Sequence, residues 1–139
     1  MRPTLIFGGN HKDDRGALKY NNDFELGSVK RMYFIENRDT LFVRAWQGHK
    51  IEQRWFTAVS GRFKIQLIQV DDWKAPAVDL EKLTFELVNE TFNVLHIPNG
   101  YVTSIQALAD NSKLLVMSNY FLNEINDEYR YPVDYFKKK

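Results

Sequence analysis

Cysteine is missing from all 139 positions. That excludes a disulfide framework and thiolate chemistry, and it removes redox usage as a guide to compartment. No stretch approaches the ~20 apolar residues needed to span a bilayer, so no membrane partner is expected. The apolar part of the opening MRPTLIFGGNHKDD is too short for the core of a secretory signal, and cytoplasmic is the resulting expectation. An excess of one charge is lacking as well: 19 Lys and Arg face 18 Asp and Glu, a formal net charge of +1. Nucleic-acid binders gather a basic excess on one surface, so no nucleic-acid partner is expected. The terminal Lys137-Lys138-Lys139 is the one charge run and reads as a solvated tail. No linker, internal repeat or low-complexity segment interrupts the chain.

What the chain has is apolar and aromatic mass, 44% and 14% of its residues. A chain of this length buries roughly two-thirds of the surface its unfolded form exposes, enough for a core without staples. The apolar residues recur with period two in segments rich in β-branched and aromatic side chains. These are Val29–Glu36, Thr40–Gln47, Ile51–Val59, Arg62–Val70, Thr84–Val88, Phe92–Ile97, Tyr101–Leu108 and Lys113–Phe121. Turn chemistry separates them: Ser60-Gly61 predicts a tight hairpin, and Pro98-Asn99-Gly100 and Asp110-Asn111 predict turns. Asp71–Glu81 is the longest irregular connection. No stretch of a dozen residues carries a 3.6-residue apolar stripe, although Asp79–Leu83 and the tail after Leu122 have room for one helical turn each. The pattern predicts one all-β domain over 1–139, a sandwich or closed barrel, with an N-terminal arm over 1–20 and a C-terminal tail over 122–139.

Three stretches in order carry a resemblance. The first is Asp13-Asp14-Arg15-Gly16, continued by Leu18 and Val29-Lys30-Arg31-Met32-Tyr33. The second is Val43-Arg44-Ala45-Trp46-Gln47-Gly48-His49-Lys50, leading to Gln53-Arg54-Trp55-Phe56 and Gly61. The third is Ile97-Pro98-Asn99-Gly100-Tyr101 followed by Ser118-Asn119-Tyr120-Phe121. Together they resemble the dTDP-4-dehydrorhamnose 3,5-epimerases and the related dTDP-sugar 3,4-ketoisomerases, whose motifs read D-x-R-G, R-G-x-H, I-P-x-G-[FY] and [TS]-[ND]-Y-[YF]. The resemblance implies a cupin-type jelly roll (a double-stranded β-helix) and a homodimer in which the segment up to about Tyr20 packs on the partner. Leu5-Ile6-Phe7 is an apolar strand that a small barrel's own sheet has no evident need for.

The chemistry of that family demands a base for a proton next to a carbonyl, a group that stabilises the enolate, and an acid that returns the proton. The resemblance implies Arg44 and Arg54 as grips on a diphosphate and Tyr120 as the acid. It breaks at two positions: the base of R-G-x-H is Gln47, an amide that takes no proton near neutral pH, and a second family histidine is Thr103. His49 keeps the later histidine of the longer motif. In a regular strand it shares a face with Gln47, which makes it the candidate base. Thr103 is then a substrate contact. The cupin metal positions read Gln47, His49, Glu52 and Thr103, leaving one imidazole, so neither metal nor other cofactor is expected. His11 and His96 read as structural or surface, and Trp46, Trp55 and Phe56 as core.

Two functions follow. One is an isomerase or epimerase acting on a nucleotide-linked 4-keto-6-deoxy sugar, by proton abstraction beside the carbonyl, in surface-polysaccharide sugar synthesis. The alternative is a cupin that binds the sugar nucleotide without turnover, which the losses at Gln47 and Thr103 favour. A structural jelly roll with an unrelated ligand stands behind both, because fold does not fix function.

Overall fold

A computed structural model describes residues 1–137, so Lys138 and Lys139 of the terminal lysine run lie outside the described residues. All eight period-two segments form strands. In chain order the elements are β1 (Thr4–Ile6), β2 (Gly9–Asp13), β3 (Gly16–Tyr20), β4 (Arg31–Ile35), β5 (Val43–His49) and β6 (Arg54–Ser60). They continue as β7 (Arg62–Gln69), β8 (Lys82–Val88), β9 (Val94–Ile97), β10 (Tyr101–Ala107), β11 (Lys113–Ser118) and β12 (Glu128–Arg130). Among the described residues there is no helix. No helical turn forms at Asp79–Leu83: a simple turn at 78–79 leads into β8, which pairs with β7 from Lys82 onward. Beyond Leu122 the chain makes a single turn, closed by the Glu124 N–H on the Phe121 oxygen at 3.0 Å, without a helix, and then forms β12.

The strands make two five-stranded antiparallel sheets, β1-β9-β6-β11-β4 and β12-β5-β10-β7-β8, and a separate β2-β3 hairpin. From β4 onward nearly every connection crosses from one sheet to the other. Ser60-Gly61 is the clearest case and corrects the expected hairpin. β6 and β7 lie in different sheets, and Gly61, at φ 69°, turns the corner between them. A side chain there meets the Ser112 hydroxyl, which itself accepts the Arg62 N–H at 3.1 Å. Gly100, at φ 96°, makes the corresponding crossing from β9 to β10. Chain that alternates between two facing sheets in this way wraps as a jelly roll.

The facing sides share one core. Phe56, Leu95, Leu114 and Val116 from the first sheet meet Phe63, Ile65, Leu67, Leu87, Tyr101 and Ile105 from the second. The far side of the second sheet is covered by the C-terminal tail, where Phe136 and Tyr131 pack on Trp46, Ile68 and Val102. Trp46, Trp55 and Phe56 are all buried as read from the sequence, Trp55 in a cluster on the outer side of the first sheet with Val94 and Met117.

The N-terminal arm departs from expectation. β1 pairs with β9 of its own chain, Leu5 opposite Leu95, and Leu5 packs against the shared core. The barrel does use the strand, because β9 otherwise presents an open edge. The β2-β3 hairpin projects away, tied at its base by Asn21, whose side-chain amide donates to the carbonyls of Ile6 and Phe92.

Candidate functional site

Register places the candidate residues. On β10, Tyr101, Ile105 and Ala107 face the shared core, and Tyr101 lies opposite His49 while Thr103 lies opposite Gln47. Cross-strand partners share a face, so His49, Gln47 and Thr103 all look into the barrel. Arg54 is opposite Ile97 and followed two residues later by core Phe56, so it looks inward from the other sheet. Tyr33 and Ile35 of β4 do the same.

At this mouth of the barrel four charged or titratable groups are nearly inaccessible: His49 at 8%, Glu52 at 6%, Arg54 at 8% and Asp127 at 5% exposure. Buried charge requires partners, and each has them. Arg54 donates from Nε to Glu52 Oε2 at 2.7 Å and from Nη1 to the Tyr33 hydroxyl. Arg31 Nη2 stands 3.9 Å from the same Glu52 oxygen. The Asp127 carboxylate accepts the main-chain N–H groups of Lys50, Ile51 and Glu52 at 3.0, 2.8 and 2.8 Å. It thereby holds the loop that brings Glu52 to His49.

His49 is set by this frame. Its Nδ1 is 3.1 Å from the Asp127 main-chain oxygen. A carbonyl only accepts, so Nδ1 carries the proton and Nε2 the lone pair. Nε2 is buried and has no hydrogen-bond partner, with Glu52 Oε2 at 3.8 Å. Burial, and then the Arg54 charge, pull the imidazole below the ordinary histidine value, against the opposing pull of Glu52 and Asp127. The ring is therefore neutral near pH 7, and its free nitrogen can take a proton. Once protonated, it faces the Glu52 carboxylate.

Other sequence candidates land differently. Gln47 donates from Nε2 to Glu128 Oε1 at 2.8 Å, and the Thr103 hydroxyl donates to the Gln47 main-chain oxygen at 3.3 Å. Both positions where the resemblance calls for histidine are thus tied into the β5 neighbourhood. Arg44 lies at the far end of β5, exposed, its guanidinium 5.9 Å from the Phe42 ring. Five residues of strand, roughly 17 Å, separate it from His49. Tyr120 is half-buried just past β11, with Lys30 Nζ 5.9 Å from its ring, and its N–H is held by the Ser118 hydroxyl. Its neighbour Asn119 accepts the Gln53 N–H at 2.8 Å and so fixes the entry to β6. His96 stacks on Trp55 and bonds Gln53 at 2.7 Å on the outer face, a structural role.

Sequence reasoning missed Tyr33, Arg31, Asp127 and β12. The first two share a period-two face with core Ile35, a signal available in the sequence. Asp127 and β12 had none, because three residues, Glu128–Arg130, are too few for a pattern. Among the described residues no group of three or more His, Asp or Glu converges on one point. Glu52 and Asp127 sit against opposite nitrogens of the one imidazole, and both carboxylates are already occupied.

No family model matches this chain, and no curated protein matches it. Solved structures do. A histidine-to-asparagine mutant of the 3,4-ketoisomerase QdtA from Thermoanaerobacterium thermosaccharolyticum, in complex with TDP-4-keto-6-deoxyglucose, aligns with TM-score 0.71 at 22% identity. The alignment covers 97% of this chain and 91% of that one. A 3,4-ketoisomerase from Helicobacter canadensis aligns with TM-score 0.71 at 21% identity over 98% and 96%. The dTDP-4-dehydrorhamnose 3,5-epimerase of Bacillus anthracis, with TDP and PPi bound, aligns with TM-score 0.70 at 13% identity over 96% and 75%. The fold is theirs: an all-β, cupin-type jelly roll.

Proposed function

We propose that this protein is an isomerase or epimerase of a nucleotide-linked 4-keto-6-deoxy sugar, with His49 as its base. One observation carries the reading: His49 Nε2 is an unpartnered lone pair inside the barrel mouth, on a ring whose tautomer is fixed from behind by Asp127. A neutral imidazole so placed removes the acidic proton beside a ketone. The C–H pair moves into the enolate, the proton goes to Nε2, and the imidazolium that forms faces Glu52 Oε2. Burial leaves little water to compete for the enolate. Tyr33, already accepting a bond from Arg54, keeps its own O–H free to donate; we assign it, in place of Tyr120, delivery of a proton to the enolate carbon, after which the tyrosinate takes a proton from solvent and His49 releases its own to solvent. Arg54 steadies charge in the cluster, whereas Arg44, at the other end of β5 and opposite core Ile105, stands out of reach of a diphosphate whose sugar is presented to His49. Thr103 positions Gln47 and lines the substrate's path.

The likeness to structures holding TDP and TDP-4-keto-6-deoxyglucose supports the choice of ligand. Such sugars serve surface-polysaccharide synthesis, which is the role and, with it, the cytoplasmic setting we propose. No helix among the described residues is long and apolar enough to cross a membrane. We further propose a homodimer formed through the outer side of the β1-β9-β6-β11-β4 sheet. Met32 and Phe34, 70% and 58% exposed, extend an apolar surface there that includes Leu115 and Phe24. Apolar patches of that kind mark association surfaces.

The test is solvent deuterium exchange into TDP-4-keto-6-deoxyglucose. Wild type incorporates deuterium beside the carbonyl, His49→Gln loses at least 100-fold, Tyr33→Phe slows the return step, and Tyr120→Phe leaves it intact. Binding without exchange in wild type establishes the non-catalytic alternative instead. Light scattering that finds a monomer at micromolar concentration refutes the dimer.

A further inference from the structure

The C-terminal tail does more than cover the barrel. β12 runs antiparallel beside β5, with Glu128 opposite His49 and Arg130 opposite Gln47. Those partners look into the barrel, so Glu128 and Arg130 stand on the same face at its rim. Tyr129, between them, points the other way onto Trp73. At the rim Glu128 accepts from Gln47 Nε2 on one oxygen, at 2.8 Å, and from Arg130 Nε on the other, at 2.7 Å. Both carboxylate oxygens are thereby oriented, and each keeps a lone pair free to accept a further bond. The residue that stands where a base was expected serves here to aim a carboxylate.

A carboxylate braced by an amide and a guanidinium is a receptor for hydroxyl groups. It accepts short, charge-assisted O–H bonds, while the guanidinium offers its remaining N–H groups to neighbouring oxygens. Fixed geometry matters because sugar stereoisomers differ only in where a hydroxyl points, and a site built to bond a hydroxyl rejects an analogue that misplaces it. We propose that Glu128, aimed by Gln47 and Arg130, is the specificity-determining residue that reads a ring hydroxyl of the sugar, beside the carbon presented to His49. The proposal rests on the sugar-nucleotide reading above and deepens it. Arginine pairing, then the neighbouring His49 and the Gln47 bond, offset burial and hold the carboxyl below its ordinary range, so it remains an acceptor throughout neutral pH.

The experiment compares two probes by calorimetry: TDP, which has no sugar, and TDP-4-keto-6-deoxyglucose. Glu128→Gln is expected to weaken the keto-sugar nucleotide roughly tenfold or more, the effect of losing a hydrogen bond to a charged group, while TDP binding stays within twofold of wild type. Gln47→Met, which removes the aiming amide but no charge, is expected to weaken the keto-sugar nucleotide in the same direction by less. Glu128 is exposed, so the thermal midpoint of Glu128→Gln matches wild type and unfolding does not confuse the result. Equal loss for both probes, or no loss for either, overturns the proposal while leaving the enzyme reading standing. Failure of wild type to bind either probe removes both.

Discussion

Replacing Asp127 by alanine is the sharpest test of how the site is held. Its carboxylate accepts three consecutive main-chain N–H groups at 2.8 to 3.0 Å and is itself buried. A hydrogen bond to a charged group is worth about 1.5–3 kcal/mol, but the three are not simply additive. Lys50 and Ile51 are exposed, so water satisfies their amides once the carboxylate is gone. The amide of Glu52 has no such recourse, because that residue is 6% exposed. We therefore expect a loss of about 3 kcal/mol, one unrescued donor and two partly rescued bonds. For a chain of this size that lowers the thermal midpoint by roughly 10 °C. Asp127→Asn keeps one acceptor oxygen and is expected to lose about half as much. Urea and thermal unfolding measure both, with an unchanged urea slope showing that the denatured state is the same. The Asp127 main-chain oxygen survives either substitution, so the His49 Nδ1 proton persists in nitrogen-15 spectra. A loss under about 1 kcal/mol for alanine, or equal losses for the two variants, refutes the cradle argument.

Three further outcomes follow from the same geometry. His49 and His96 both sit below the ordinary histidine value, chiefly by burial. The unfolded chain binds their protons more readily, so stability present above pH about 6.5 is lost as pH falls below it. Thermal midpoints between pH 7.5 and 5 check the sign, and His96→Gln flattens the slope. Phe136→Ala removes a ring that meets Trp46 edge-on at 5.4 Å and is 1% exposed. About 3–5 kcal/mol is expected to go, and limited proteolysis is expected to cut first within 121–136. Gly48→Ala drives a methyl into the Tyr101 carbonyl and Val102 across the β5-β10 pair, so soluble folded protein is lost; a normal circular dichroism spectrum contradicts this.

The sequence was most legible where a strand has one wet and one dry side. Residues 62–70 alternate so regularly that β7 could be drawn from them, and the same alternation put His49 and Gln47 on one face. Legibility failed where polarity or brevity hid the pattern. Gly9–Tyr20 is a hairpin with almost no buried side chain, so nothing apolar marks its period. Ser60-Gly61 signalled a turn, and the turn exists, but turn residues do not say whether the chain returns to the same sheet or passes to the facing one. The contact that braces the crossing is with Ser112, fifty positions on, whose hydroxyl accepts from Arg62. His49 was legible as a candidate from its strand, whereas the group that fixes its tautomer lies 78 residues away and was not.

That separation has a consequence for how the protein comes into being. Synthesis is vectorial, and His49 leaves the ribosome far ahead of Asp127. A nascent chain halted at residue 126 already contains β1 to β11, the strands that supply the shared core. Its imidazole, however, has no acceptor behind Nδ1 and no carboxylate gathering the loop at 50–52. Such a chain also leaves Trp46, Ile68 and Val102 without the cover of Tyr131 and Phe136. The last thirteen residues therefore complete the second sheet's outer packing and the setting of His49 in a single late step.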